Sequence, residues 1–123
     1  MTRKKILLVD DSETSLMMSR MVLSKGDYDI VMARNGEEGV AKAAAERPDL
    51  ILLDVVMPKM DGFEACRRIR TGQDTSTIPV ILVTTRGEET NLETGYASGC
   101  CDYVTKPING LELLTKIRTF LGE

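Results

Sequence analysis

The stretch Leu50–Gly62, LILLDVVMPKMDG, places a carboxylate directly after an uninterrupted apolar run. The run is Leu50–Leu53, the carboxylate is Asp54, and a second acid, Asp61, stands just before the closing glycine. A short continuous apolar run of this kind is typical of a parallel strand that is covered on both faces. Because an unpaired carboxylate is costly to bury, we expect groups from elsewhere in the chain to compensate Asp54.

Similar apolar runs and helical patterns alternate along the rest of the chain. The predicted strands are Lys5–Asp10, Tyr28–Ala33, Leu50–Asp54, Pro79–Thr84 and Asp102–Thr105. The predicted helices are Ser12–Lys25, Glu37–Arg47, Gly62–Arg70, Glu88–Ser98 and a last helix capped by Asn109. Alternating strands and helices predict an α/β sandwich with a parallel sheet, and the length predicts one domain over residues 1–123.

Composition argues against several classes of function. A formal net charge of −3 argues against nucleic acid as a partner. The cysteines at positions 66, 100 and 101 fit no disulfide framework and predict a reducing, cytoplasmic compartment. The apolar run Ile6–Val9 is too short for a membrane span. The chain has no histidine, so a histidine base, a Ser-His-Asp triad and a phosphohistidine are excluded within it.

Reactive side chains follow four of the predicted strands. They are Asp10, Asp11, Asp54, Thr84 and Lys106. In an open α/β sheet, ligands bind beyond the carboxyl ends of the strands, so these side chains are expected to converge. Clustered carboxylates must protonate or bind a cation, and an all-oxygen set favours Mg²⁺. A lysine and a threonine suit phosphoryl oxygens, and a carboxylate can attack phosphorus to form an acyl phosphate.

Four segments of the chain resemble those of a known family. The segments ILLVDD, DLILLDVVMPKMDG, PVILVTT and GCCDYVTKP match the receiver domain of bacterial response regulators, in the family's order. In length the chain is similar to the stand-alone chemotaxis (CheY-like) type. The resemblance implies a flavodoxin-like three-layer sandwich with five helices. It also implies a five-stranded parallel sheet of order 2-1-3-4-5, the order known for chemotaxis receivers.

The resemblance also implies a phosphoryl acceptor and a metal site. Asp54 would accept a phosphoryl group from a partner's phosphohistidine, with Mg²⁺ as the cofactor. Asp11 and Asp54 would bind the metal directly, whereas Asp10 would act mainly through water. The backbone carbonyl of Val56 would complete the protein's share of the ligands.

Further roles follow from the same resemblance. Thr84 and Lys106 would hold the phosphoryl oxygens. Tyr103 would be a switch aromatic that turns inward when Thr84 moves toward the phosphate. The bond between Lys106 and Pro107 is expected to be cis.

The implied partners are a histidine kinase or histidine phosphotransfer protein and a downstream protein target. The switching surface would be the fourth helix (Glu88–Ser98), the fifth strand and the fifth helix. We expect a cytoplasmic monomer with neither a nucleic-acid nor a membrane partner. The only reactions expected of it are its own phosphorylation and dephosphorylation, so it would not be an enzyme acting on other substrates.

Three other interpretations remain open at this stage. In the first, the chain is a receiver cut from a longer regulator. In the second, it is a degenerate receiver that binds partners without phosphate. In the third, it is a Mg²⁺ phosphatase with an aspartyl nucleophile. The intact acid set argues against the degenerate receiver. Phosphatases of the haloacid dehalogenase type carry a second acid two residues after the nucleophile. Val56 occupies that position here, which argues against the phosphatase.

A few residues are assigned ordinary roles. Asp61 is predicted to belong to a turn and helix start. The methionines at positions 17, 18 and 21 have helical spacing and are predicted to fill the core. Because an apolar Val56 cannot orient a water molecule, we expect slower self-dephosphorylation than in a Val56→Asn variant.

Overall fold

Strands and helices alternate in the computed structural model, which describes residues 3–85 and 97–123. The strands are β1 (Lys4–Val9), β2 (Tyr28–Ala33), β3 (Leu50–Asp54), β4 (Val80–Thr85) and β5 (Asp102–Lys106). The helices in these two segments are α1 (Glu13–Leu23), α2 (Gly36–Glu46), α3 (Gly62–Thr71) and α4 (Gly110–Leu121). The predicted helix Glu88–Ser98 lies, apart from its last two residues, outside the described part of the chain, and α4 corresponds to the fifth predicted helix.

All five strands form one parallel sheet in the order β2-β1-β3-β4-β5. The central strand β3 pairs with β1 and β4, so that Leu53 lies beside Val9 on one side and Leu82 on the other. The predicted strand order of the flavodoxin-like fold is therefore confirmed. Because every strand runs in the same direction, all five carboxyl ends lie along one edge of the sheet.

A hydrophobic core covers each face of the sheet. Along β3, Ile51 and Leu53 point into one core, and Leu50 and Leu52 point into the other. Residues of α2 and α3 belong to the first core, and residues of α1 and α4 belong to the second. This arrangement explains why β3 is apolar at successive positions, since each fully buried leucine or isoleucine stabilises the fold by about 2 kcal/mol. It also confirms the three-layer sandwich.

Each described helix begins with a side-chain cap. The capping residues are Ser12, Asn35, Asp61 and Asn109, and each accepts a hydrogen bond from the backbone amide three residues later. Such caps satisfy amides that have no partner within the helix. The helix-start role of Asp61 and the cap at Asn109 were both predicted, and both are confirmed.

The prediction that the methionines of α1 fill the core is wrong. Met17, Met18 and Met21 are 61%, 58% and 69% exposed. The face of α1 that packs on the sheet carries Leu16 and Leu23, which are spaced by two helical turns. Because α1 has apolar residues on more than one face, their spacing alone did not show which face is buried.

The four helices in residues 3–85 and 97–123 contain 10 to 12 residues each. A helix needs about 20 apolar residues to cross the hydrocarbon layer of a bilayer. Within those two segments, none meets that requirement.

Candidate functional site

Three carboxylates converge at the carboxyl edge of the sheet. Asp10 and Asp11 follow β1, and Asp54 ends the neighbouring strand β3. One carboxylate oxygen from each of the three lies within 4.8 Å of the others. Asp10 and Asp54 are buried, whereas Asp11 is exposed. Parallel pairing of β1 and β3 thus brings together the acids that the sequence analysis singled out, although their functions stay predictions.

Lys106 reaches the same cluster from the end of β5. Its ammonium Nζ lies 3.2 Å from Asp10 Oδ2 and 3.5 Å from Asp54 Oδ1. Strand β4 separates β5 from β3, so the long lysine side chain spans the distance between the two strand ends. This contact answers in part how the buried Asp54 is compensated, because an opposite charge offsets some of the cost of desolvation.

The surroundings of Asp54 raise the pKa of its carboxyl from 3.8 to about 6. Burial is the main cause, because it disfavours the charged form, and the negative charge of Asp10 adds to it. Lys106 acts in the opposite direction but does not cancel these two effects. At neutral pH the carboxylate is therefore mostly ionised, yet it is held in an environment that disfavours its charge.

Asp10 is held by both of its carboxylate oxygens. Asp10 Oδ1 accepts a hydrogen bond of 2.9 Å from the backbone amide of Ser12, and Oδ2 accepts one of 3.2 Å from Lys106. Its own amide donates to the carbonyl of Ala33 in β2 at 3.1 Å. These bonds fix the orientation of Asp10 relative to the start of α1.

Thr84 lies at the other side of the site, near the end of β4. Its side chain is buried, and Oγ1 donates to the backbone carbonyl of Val104 in β5 at 3.5 Å. The next residue on the amino side of Val104 is Tyr103, which is half-buried and packs against the core formed with α2 and α3. Thr84 thus connects the site edge to the strand that carries the predicted switch aromatic.

The loop after Asp54 closes tightly over the strand end. The amide of Gly62 donates to the carbonyl of Val55 at 2.8 Å, and a Cβ on Gly62 would collide with the backbone carbonyl of Asp54. Only glycine fits this close approach. Val56 lies within the loop with 53% of its surface exposed. The loop therefore holds Asp54 in place while leaving its outer edge open.

The donor chemistry of the cluster fits a magnesium ion. The converging atoms are carboxylate oxygens of Asp10, Asp11 and Asp54. Mg²⁺ is bound in proteins by one or two carboxylates together with water and phosphate oxygens, and oxygen donors suit it better than nitrogen or sulfur donors. The exposed Asp11 leaves one side of the cluster accessible to water.

Ser15 is a residue of the site that was not predicted from the sequence. Lys106 Nζ also donates to Ser15 Oγ in the first turn of α1, at 3.4 Å. A signal was available, because Ser12, Ser15 and Ser19 recur at helical spacing on the side of α1 that carries the buried Ser19. Polar residues along an inward-facing stripe point to a polar contact inside.

The bond between Lys106 and Pro107 is cis, as the family resemblance implied. It follows β5 directly and leads into Asn109, the cap of α4. The end of β5, the cis bond and the helix start are therefore contiguous in the chain.

Comparison with known sequences identifies the family. The family model described as the response regulator receiver domain matches residues 6–118. The chain is also similar to Protein PilH of Pseudomonas aeruginosa, with 43% identity over 96% of this chain and 98% of PilH.

Solved structures agree with this result. The chemotaxis protein CheY4 of Vibrio cholerae superposes with a TM-score of 0.90 at 32% identity, covering 97% of this chain and 99% of CheY4. The receiver domain of the sensor histidine kinase PA1611 from Pseudomonas aeruginosa superposes with a TM-score of 0.90 at 28% identity, covering 99% of this chain and all of that one. That receiver has a magnesium ion coordinated in its active site cleft. The chain belongs to the response regulator receiver domain family of two-component signalling systems.

Proposed function

We propose that Asp54 is the residue that accepts the phosphoryl group, and that the donor is a phosphohistidine of a histidine kinase or histidine phosphotransfer protein. One observation carries this proposal. Asp54 is a buried carboxylate that lies within 4.8 Å of two other acids and 3.5 Å from the Lys106 ammonium. Because burial raises the pKa of the Asp54 carboxyl, its ionised form is more basic, and therefore more nucleophilic, than an ordinary carboxylate.

In the proposed reaction, a carboxylate oxygen of Asp54 attacks the phosphorus atom in line with the bond to the donor nitrogen. The new O–P bond forms as the P–N bond breaks, and the electron pair of that bond leaves with the imidazole of the partner. Phosphoryl transfer depends on positioning and on neutralising charge more than on covalent help from the protein. Lys106 supplies one positive charge, and Thr84 supplies a hydroxyl once it leaves the Val104 carbonyl.

The same acids would hold the cofactor. Asp10, Asp11, Asp54 and the backbone carbonyl of Val56 are the groups that we assign to Mg²⁺. When bound, the ion would neutralise the acid cluster and the phosphoryl oxygens, so that the two negatively charged reactants can approach. The convergence of three carboxylates and the magnesium ion in the PA1611 receiver support this assignment.

An apolar surface beside the site fits the docking of the donor. It consists of the exposed methionines of α1 and a groove of about 210 Å³ between α1 and the turn before α4. Met18, Val22, Ile108 and Lys106 are among the residues that line the groove. Exposed apolar patches of this kind mark protein interaction sites, and flexible methionines adapt to a partner's side chains. A partner that docks on this surface would bring its phosphohistidine close to the edge of the sheet.

The output surface is proposed to include β5 and α4. A phosphoryl group on Asp54 would carry about 1.5 to 2 negative charges in place of the single charge of the carboxylate. The Thr84 hydroxyl, which donates to the Val104 carbonyl of β5, would turn toward these charges. Once Thr84 leaves Val104, Tyr103 would gain room to turn inward. We expect the backbone amide signals of Tyr103 and its neighbours to move when beryllofluoride, a phosphoryl mimic, is added with Mg²⁺. Unchanged signals along β5 would count against this surface.

Mass spectrometry tests the acceptor. Incubation with phosphoramidate and Mg²⁺ should add one phosphoryl group to the wild type, and peptide mapping should place it on Asp54. An Asp54→Asn variant should gain no mass. Asp61→Asn is the matched control, because Asp61 lies at the other end of the loop after Asp54 and caps α3. This variant should still gain the mass of one phosphoryl group. A phosphoryl group found on any other residue would contradict the proposal.

These proposals concern a signalling domain that modifies only itself. An aspartyl-nucleophile phosphatase would need an acid at the position of the exposed Val56, so turnover of p-nitrophenyl phosphate is not expected. The cytoplasmic location, the monomeric state, the domain limits at residues 1 and 123, and the interpretation as a receiver within a longer regulator stay predictions.

A further inference from the structure

We propose that Ser15 is a positioning residue for Lys106, and that its hydroxyl keeps the lysine ammonium aimed at the phosphoryl site. The inference rests on the proposed role of Asp54 as the acceptor. Its starting point is the bond of 3.4 Å that Lys106 Nζ donates to Ser15 Oγ. No role was assigned to this residue from the sequence.

Among residues 3–85 and 97–123, three acceptors lie around the Lys106 ammonium, as many as it has N–H donors. A lysine ammonium carries three donors. Its acceptors here are Asp10 Oδ2 at 3.2 Å, Ser15 Oγ at 3.4 Å and Asp54 Oδ1 at 3.5 Å. They come from the end of β1, the first turn of α1 and the end of β3, so they surround the ammonium from three elements of the fold.

Of these three acceptors, Ser15 is the one that the reaction leaves unchanged. One oxygen of Asp54 forms the O–P bond of the acyl phosphate, and Asp10 is one of the acids that we assign to the metal. A neutral hydroxyl that binds neither the metal nor phosphorus continues to accept from Lys106 throughout the transfer. Ser15 thereby limits the directions that the flexible lysine side chain can take, which reduces the entropy lost when Lys106 contacts the phosphoryl oxygen.

The position of Ser15 is itself fixed by the same network. Its amide donates to the capping oxygen of Ser12 at 3.2 Å, and the Ser12 amide donates to Asp10 Oδ1 at 2.9 Å. Together with the bonds of Lys106, these contacts form a closed ring through Asp10, Ser12, Ser15 and Lys106. A helix start that is tied to the site in this way holds the Ser15 hydroxyl where the lysine can reach it.

The first test compares phosphorylation rates in three variants. With phosphoramidate and saturating Mg²⁺, Ser15→Ala should be about three- to tenfold slower than the wild type, since one hydrogen bond to a charged group is lost. Ser15→Thr keeps a hydroxyl and should be within about twofold of the wild type. Thr14→Ala is the matched control, because it removes a hydroxyl from the exposed neighbouring position and should leave the rate unchanged.

The second test observes Lys106 directly and does not depend on phosphorylation. In metal-free protein labelled with ¹³C-lysine, the ε-methylene signals of Lys106 should shift in Ser15→Ala and stay in place in Thr14→Ala.

Equal phosphorylation rates in Ser15→Ala and wild type would overturn the inference, as would a slower rate without any shift of the Lys106 signals. If the wild type gains no phosphoryl group at Asp54, the proposed function itself fails. Phosphorylation of the wild type and of Ser15→Ala at equal rates overturns only the role of Ser15.

Discussion

Asp54 and Asp61 flank the same loop, yet the two aspartates have opposite surroundings. The side chain of Asp54 is 5% exposed and faces other charged groups, and its carboxyl has a pKa raised to about 6. Asp61 is exposed at the start of α3, where its Oδ1 accepts a hydrogen bond of 2.9 Å from the Glu64 amide. The comparison shows that burial and neighbouring charge, rather than residue type, separate a carboxyl with a raised pKa from one that caps a helix.

The raised pKa of Asp54 has a definite sign in folding. The folded state binds the Asp54 proton more tightly than the unfolded state does, so protonation of this group favours folding. That contribution is fully present below the unfolded pKa of 3.8 and is lost as the pH rises through about 6. In the absence of metal, Asp54 is therefore a destabilising residue at neutral pH, whereas the Asp61 cap stabilises.

The largest expected effect is the pH dependence of stability in metal-free protein. Between pH 4 and pH 7.5, the free energy of unfolding of the wild type should fall by about 2 kcal/mol relative to Asp54→Asn, because only the wild type loses this proton. Urea denaturation in EDTA measures the difference. Asp61→Asn should follow the wild-type curve. If the free energies of unfolding of wild type and Asp54→Asn change in parallel with pH, the pKa of Asp54 is not raised in the folded state.

Binding of Mg²⁺ should offset the unfavourable burial of the ionised Asp54 carboxylate. At a free Mg²⁺ concentration ten times the dissociation constant, binding to the folded state should raise the free energy of unfolding by about 1.4 kcal/mol. Asp54→Asn should lose most of that increase, whereas Asp61→Asn should retain it. Thermal or urea denaturation with and without Mg²⁺ gives the comparison. Equal stabilisation of Asp54→Asn would place the metal elsewhere.

The Asp61 cap should stabilise the fold, in contrast to the ionised Asp54 of metal-free protein, and its effect on the free energy of unfolding should be smaller. Asp61→Ala should destabilise the fold by about 1 kcal/mol, because the Glu64 amide loses its acceptor. Asp61→Asn keeps an acceptor oxygen and should cost less. Both variants should be phosphorylated within about twofold of the wild-type rate, as measured by intact mass. A much slower Asp61→Asn would mean that the two ends of the loop are not independent.

Val56, between the two aspartates, should give the smallest effect. A Val56→Asn side chain can orient a water molecule toward the acyl phosphate, so loss of the phosphoryl group should be about threefold faster, a change of under 1 kcal/mol in barrier. Val56→Ala offers no such group and should decay like the wild type. Decay of the phosphoprotein is followed by intact mass after the donor is removed. If the phosphoryl group is lost at the same rate from Val56→Asn and wild type, the side chain at position 56 does not control self-dephosphorylation.

The strands could be predicted because their signal is local. Continuous apolar runs bounded by charged residues or proline predicted β3 with its observed limits and β1 and β4 to within a residue at either end. The methionines of α1 could not be placed in this way. Their exposure depends on which face of α1 meets the sheet, and that face is chosen by packing with β1, β2 and α4.

The site was predictable to the extent that strand ends define it. Asp10, Asp11, Asp54 and Lys106 follow strands whose carboxyl ends must meet in a parallel sheet, so their convergence follows from topology. The roles assigned to Val56, Thr84 and Tyr103 came from resemblance and remain to be tested. Ser15 was not predicted because the serine spacing along α1 indicates only a polar inward-facing side, whereas the partner, Lys106, lies 91 positions away in the chain.

The sequence by itself determined which residues form a covered parallel sheet and which polar groups stand at its edge. Apolar periodicity and the order of the segments carry both kinds of information. Only the tertiary structure decided the surroundings of these groups. The raised pKa of Asp54, the three acceptors of Lys106 and the exposed methionines of α1 arise from distances between segments remote in the chain. Desolvation and charge interactions depend on those distances, which the order of residues does not specify.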